Sequence, residues 1–197
     1  MSEAIRWSER AFLLALSGSI VWRLWPALSF HPQIVLVLAS EILGVIFVLF
    51  QRKGTWATSS YTTAIAFLGT SLPLLVIGSG QPFAPNNVTT ALILFGTGLA
   101  VIAKLSLRRS FGIVPANRGV KSNGAYSFVR HPMYTGYVFN HIGFLLTFFS
   151  AWNLAIYLTT WTLLYLRAVE EEKFLLTDPE YAAYASRVKG RIVPGLV

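Results

Sequence analysis

Residues 33–50 read QIVLVLASEILGVIFVLF, eighteen positions with a single ionisable side chain, Glu41, near the middle. A helix needs about 20 mostly apolar residues to cross a bilayer. This run meets that need and decides the class of the whole chain. Five further runs of the same kind lie at about 11–28, 61–79, 88–107, 133–149 and 151–167. The expected architecture is all-α: a polytopic membrane helix bundle of about six transmembrane helices, with a C-terminal helical hairpin and a short cytoplasmic helix.

Composition agrees. Hydrophobic residues make up 54% of the 197 positions and charged residues only 12%, against about 25% charged in a soluble domain. The mean hydropathy is +0.58. The N-terminal apolar run is long and Trp-rich, so it reads as a retained helix rather than a cleaved signal. The net charge of +8 needs no nucleic-acid partner. With the N-terminus inside, the inner regions are 1–10, 51–60, 108–132 and the C-terminal tail. They take nearly all the basic residues, among them Arg6, Arg52, Lys53, Arg108, Arg109, Lys121 and Arg130, while the outer connections carry none. That is the positive-inside bias. It places both termini on the cytoplasmic side. The absence of cysteine removes thiolate metal sites and a thiol nucleophile, and no metal is expected.

Ionisable and polar residues within spans require partners. Arg23 and Glu41 fall at similar depth on neighbouring helices and read as an ion pair. Lys104 sits at an inner helix end, where it can snorkel. Asn140 and His141 read as helix–helix hydrogen bonds, or as pocket lining. Gly96 and Ala100 form a small-xxx-small pair that brings helices close. Pro73 should kink the third helix. A short turn at Ser150–Asn153 should close the last two spans into a tight antiparallel hairpin.

The polar stretch 108–132 ends in YSFVRHP, and the chain then re-enters an apolar run. Pro132 suits the first helical position, leaving Arg130 and His131 at the inner surface. On the outgoing helix, Arg167 and Glu171 share a face, followed by Glu172. Asp178-Pro179 looks like an N-cap and first turn. Tyr181, Tyr184 and Val188 give the next helix an apolar face, which Gly190 should end. A hairpin would bring the basic Arg130-His131 and the acidic Glu171-Glu172 to one interface at the mouth of the bundle.

These two halves, Arg-His-Pro-x-Tyr-x-Gly at 130–136 and an Arg followed by a Glu pair at 167–172, resemble the isoprenylcysteine carboxyl methyltransferases and their phospholipid N-methyltransferase relatives. The resemblance covers about residues 105–197 and none of the first 100. Ala125 stands where the family has proline, and LLTDPEY replaces the usual Phe-Gly before the last helix. The resemblance implies one membrane domain: N-terminal helices over 1–107, then cofactor loop, hairpin and catalytic region over 108–197. It implies S-adenosylmethionine as cofactor, held by Lys121, Gly124, Tyr126, His131, Pro132, Met133, Tyr134, Glu171 and Glu172. Arg130, Arg167 and Glu171 would be catalytic, with Tyr137 and Arg167 at the acceptor. The acceptor would be a lipophilic small molecule or prenylated substrate drawn from membrane lipid. An isoprenylcysteine-type carboxylate is preferred because two arginines are available to grip it; a phospholipid amine is the alternative. The contrasting class is a transporter or structural protein, but transporters show internal repeats and none relates 1–100 to 101–197.

Overall fold

The computed structural model describes residues 3–52, 55–56 and 59–195, so Lys53 lies outside the described residues, as does the side chain of Arg6. Helices form at all six places expected: α1 (Glu3–Leu24), α2 (Ile34–Leu49), α3 (Ser60–Ser71), α4 (Asn86–Leu107), α5 (Pro132–Thr147) and α6 (Ala151–Leu175), with the short α7 (Pro179–Arg187) behind them. Among the described residues, two short strands form one two-residue antiparallel pairing, Thr55–Trp56 (β1) with Ala116–Asn117 (β2). It ties the α2–α3 connection to the α4–α5 connection.

Two segments, Arg10–Ser29 and Asn86–Ser110, are long and apolar enough to cross a membrane by length and composition. Of the others, α6 has 25 residues, but α2, α3 and α5, with 16, 12 and 16, are shorter than a full span requires. α3 has 12 residues, roughly 18 Å at 1.5 Å per residue. The physical reason is Pro73: rather than kinking a continuing helix, it sits in a 3-10 turn, Leu72–Leu75, after which the backbone is extended. α5 stops at Thr147. Large apolar side chains are nonetheless exposed around the bundle, among them Trp22, Leu36, Ile46, Leu68, Phe95 and Leu158. Soluble monomers seldom present so much apolar surface.

The expected tight hairpin is corrected. α5 takes α4, not α6, as its close partner. A methyl group on Gly96 would lie 2.4 Å from the Asn140 amide nitrogen, and one on Gly136 2.7 Å from the Ala100 nitrogen. The two backbones therefore touch, as the small-residue pair foretold. Asn140 adds the expected helix–helix bond, Nδ2 donating to Thr97 Oγ1 at 2.8 Å. α6 instead packs on α3, so α5 and α6 splay apart below their turn. Their outer ends are sewn to the loop before α4. Fully buried Asn153 accepts from the Ile77 amide and donates to the Ile77 and Phe148 carbonyls. Gln81 and Phe149 exchange backbone hydrogen bonds. Non-helical backbone is thus satisfied by protein.

The Arg23–Glu41 pair does not form. Arg23 donates to the Val76 and Ser19 carbonyls. Glu41 faces Lys104, at 3.8 Å. Lys104 does not snorkel: it is 1% exposed and donates to the Ser40 carbonyl and hydroxyl at 2.7 and 3.1 Å. α2 packs beside α4, and that contact decides which cation reaches the carboxylate.

Candidate functional site

At the inner end, α5 and α6 converge again. His131 stands immediately before α5, without a side-chain cap bond, and Pro132 opens the helix, as the sequence predicts. Glu172 is 2% exposed and gathers three basic groups: Arg130 Nε at 3.0 Å, His131 Nε2 at 3.0 Å and Arg191 Nε at 2.8 Å. Burial alone would raise its carboxyl. The hydrogen bonds from His131 and Arg191 and the field of Arg130 outweigh it and hold the group below the usual carboxylate range. Tyr134 donates its hydroxyl to Glu171 Oε2 at 3.2 Å, and its ring stacks on His131, centroids 5.1 Å apart. The basic and acidic halves of the motif therefore meet, as the sequence implies.

The C-terminal segment straps this junction. The Arg130 and His131 amides donate to the Gly190 and Arg191 carbonyls at 2.9 and 2.8 Å. Gly190 does not end α7, which stops at Arg187; its carbonyl serves α5 instead. Asp178 does cap α7, accepting from the Glu180 amide, and Asn117 Nδ2 donates to its other oxygen.

Two cavities flank the junction. The inner one lies between the 110–121 loop, α7 and the ends of α5 and α6. Lys121, Tyr126, Arg130, His131, Met133, Tyr134, Arg167 and Glu171 line it, together with Tyr181 and Tyr184. Gly124, Pro132, Tyr137 and Glu172 are not in its wall. Gly124 turns the loop at φ +63°. Pro132 starts the helix. Glu172 sits behind the wall, fixing Arg130 and His131. Burial pushes the phenols of Tyr181 and Tyr184 up, Tyr184 to about 12, so they are neutral donors near neutral pH.

The second cavity runs through the bundle between α1, α2, α3, α5 and α6. About half of its wall is Leu, Ile, Val and Phe, and Glu41, Lys104, Tyr137, Asn140 and His141 are among the rest. The two cavities share Phe111, Met133 and Arg167. Arg167 is the polar group at that boundary. It donates to Thr70 Oγ1 at 3.1 Å and to the Ile113 and Gly112 carbonyls at 2.6 and 3.3 Å, while its buried Nε has no partner. Arg130 faces Glu172 through its Nε and also lines the inner cavity, and Arg167 keeps one Nε–H without a hydrogen-bond partner.

Sequence reasoning missed Arg191, Tyr181 and Tyr184 as site residues. Arg191 was one more basic residue on the inner side, and the tyrosines read only as a helix's apolar face. The 112–120 wall carried no signal beyond its glycines and prolines. No group of three or more metal-ligating side chains occurs among the described residues.

Residues 88–177, just under half the chain, match the family model of the isoprenylcysteine carboxyl methyltransferase (ICMT) family. The resemblance seen in the sequence is borne out over 105–177; the match begins earlier than expected, at 88, and does not extend over 178–197. No curated protein and no solved structure matches the chain.

Proposed function

We propose that this chain is a membrane-embedded methyltransferase that uses S-adenosylmethionine to esterify the carboxylate of a lipophilic acceptor of the isoprenylcysteine type. The observation carrying it is the pair of cavities meeting at Arg167, one polar and aromatic, the other apolar.

The inner cavity fits the cofactor by the chemistry of its wall. Tyrosine rings suit an adenine face and a sulfonium. Glu171 accepts from hydroxyls or an ammonium, and Lys121 and Arg130 attract a carboxylate. When bound there, the cofactor supplies an electrophilic methyl group. Glu172 keeps Arg130 and His131 in register, and the 189–192 strap fixes both backbones. Tyr134 orients Glu171 and covers Arg167, whose guanidinium lies 5.5 Å from its ring.

At the boundary, Arg167 holds the acceptor carboxylate through its spare Nε–H in a water-poor setting. A carboxylate is already nucleophilic, so alignment and desolvation carry the rate and no base is required. An amine acceptor would need a base, and the boundary residue is a cation instead. For these reasons the carboxylate is preferred to a phospholipid amine. The six helical segments then form a multi-pass membrane bundle with the inner cavity on the cytoplasmic side.

Calorimetric titration of S-adenosylhomocysteine into detergent-purified protein tests this. Micromolar binding that His131→Ala weakens at least tenfold is expected, with methyl transfer to a farnesylcysteine analogue and none to phosphatidylethanolamine. Absence of binding by folded protein would overturn the reading.

A further inference from the structure

The bundle cavity is not a plain hydrocarbon slot. Among the described residues, only two that line it own a buried polar side-chain atom without a hydrogen-bond partner: Arg167, at Nε, and His141, at Nδ1. Its other polar neighbours are engaged. Lys104 is held by Ser40 and Glu41, and Asn140 by Thr97. Tyr137 lies under the Lys104 ammonium at 5.3 Å. The His141 ring is fixed between Tyr157, 4.5 Å away, and Tyr137, 6.1 Å away. Its position is therefore set by stacking, and its ring nitrogen is left for something else. A buried polar atom without a partner is destabilising, and a guest can relieve it.

We infer that the cavity takes an amphiphile with two polar points: an acidic head at Arg167 and a hydroxyl partway along its apolar body, bonded to His141. A hydroxyl both donates and accepts, so it satisfies Nδ1 in either tautomer. The spacing follows from helix geometry. Met133, beside Arg167 at the boundary, lies eight residues before His141, roughly 12 Å along α5 at 1.5 Å per residue. An extended chain advances about 1.2 Å per bond. A hydroxyl about ten to twelve carbons from the carboxyl carbon reaches that depth. The inference rests on the proposed function for the polarity of the head and goes beyond it in the body of the acceptor. Slightly more than half of the cavity wall comes from α1, α2, α3 and the turn after α3, which the family match does not cover. The choice of lipid therefore rests on that half of the chain as well.

The test measures binding, not catalysis. Octadecanoic, 12-hydroxyoctadecanoic and 2-hydroxyoctadecanoic acids are titrated into the full-length protein in detergent, and into His141→Phe, which keeps a stacking ring without nitrogen. The 12-hydroxy acid should bind the wild type at least fivefold tighter than either of the others. In His141→Phe the three affinities should converge. Equal binding of the three acids by the wild type overturns the inference, as does no binding, or a preference that survives in His141→Phe. Should that variant fail to fold, the wild-type comparison with its positional control decides alone. S-adenosylhomocysteine binding in the same sample separates the two claims: cofactor binding without hydroxyl preference sinks this inference and leaves the methyltransferase reading standing, and the converse sinks that reading.

Discussion

Glu172 and Arg167 divide the labour of the site at the scale of single side chains. Glu172 touches three basic groups and lines neither of the two cavities. Its pKa is depressed in the folded state, so its stabilisation is fully present above the ordinary carboxylate value. It is lost as pH falls through the folded pKa. Glu172→Gln should remove that acid-side loss of stability and cost roughly 3 kcal/mol at neutral pH, because breaking a buried ion pair leaves its partners uncompensated. Thermal melts in detergent from pH 7 to pH 3 check both effects. An unchanged pH profile would mean that Glu172 is not the hub. Arg167 is the opposite case. Replacing it with lysine keeps the charge but loses the planar fork. Arg167→Lys should lower kcat/KM about 100-fold, as loss of one positioned donor does, with S-adenosylhomocysteine affinity within twofold of wild type. The sequence showed which residue types would meet here, because Arg130, His131, Glu171 and Glu172 lie at helix ends. It could not show that Glu172 turns away from the cavity and Glu171 toward it, since adjacent helical positions differ by about 100° and only the packing of α6 selects the face.

Among the elements, the α4–α5 crossing fixes where the motif lands. Gly96, Ala100 and Gly136 let two backbones touch, so the motif glycine at 136 packs against α4. Gly136→Ala places a carbon 2.6 Å from the Gly96 carbonyl oxygen. The helices must part, at roughly 1–3 kcal/mol for overpacking. Melting temperature should fall, and cofactor affinity should fall with it, because α5 carries His131 and Tyr134. Gly98→Ala, on α4 with open space at its Cβ position, is the control and should be neutral in both. This crossing was legible because small residues four apart have one obvious use in a membrane helix. The splay of α5 from α6 was not. A four-residue turn predicts neighbours, but it cannot reveal that Asn153 and the 77–83 loop wedge the outer ends. Nor did spacing reveal that Lys104, rather than Arg23, would reach Glu41.

For the whole molecule, membrane placement joins a bundle of short helices to a site at one end. Several helices are shorter than the roughly 30 Å hydrocarbon core. A multi-pass arrangement therefore requires local thinning of the bilayer, or loop backbone buried in protein at membrane depth. The second is present at the outer end, where the Gln81–Phe149 pairing and the Asn153 bonds satisfy non-helical backbone. The basic residues then fall on the side of the 108–131 loop, and the inner cavity opens where a water-soluble cofactor can reach it. The cysteine-free sequence makes this directly measurable. Single cysteines at Asn87, exposed in the first turn of α4, and at Asn123, exposed in the loop before α5, should react with a membrane-impermeant maleimide from opposite faces of sealed vesicles. Asn87→Cys should label only from the outside of intact cells, and Asn123→Cys only after the membrane is opened. Adding S-adenosylhomocysteine should slow labelling at Asn123 and leave Asn87 unchanged. Labelling of both positions from one side would mean that α4 does not cross. It would also refute a bundle that separates a cytoplasmic cofactor cavity from an apolar chamber within the bilayer.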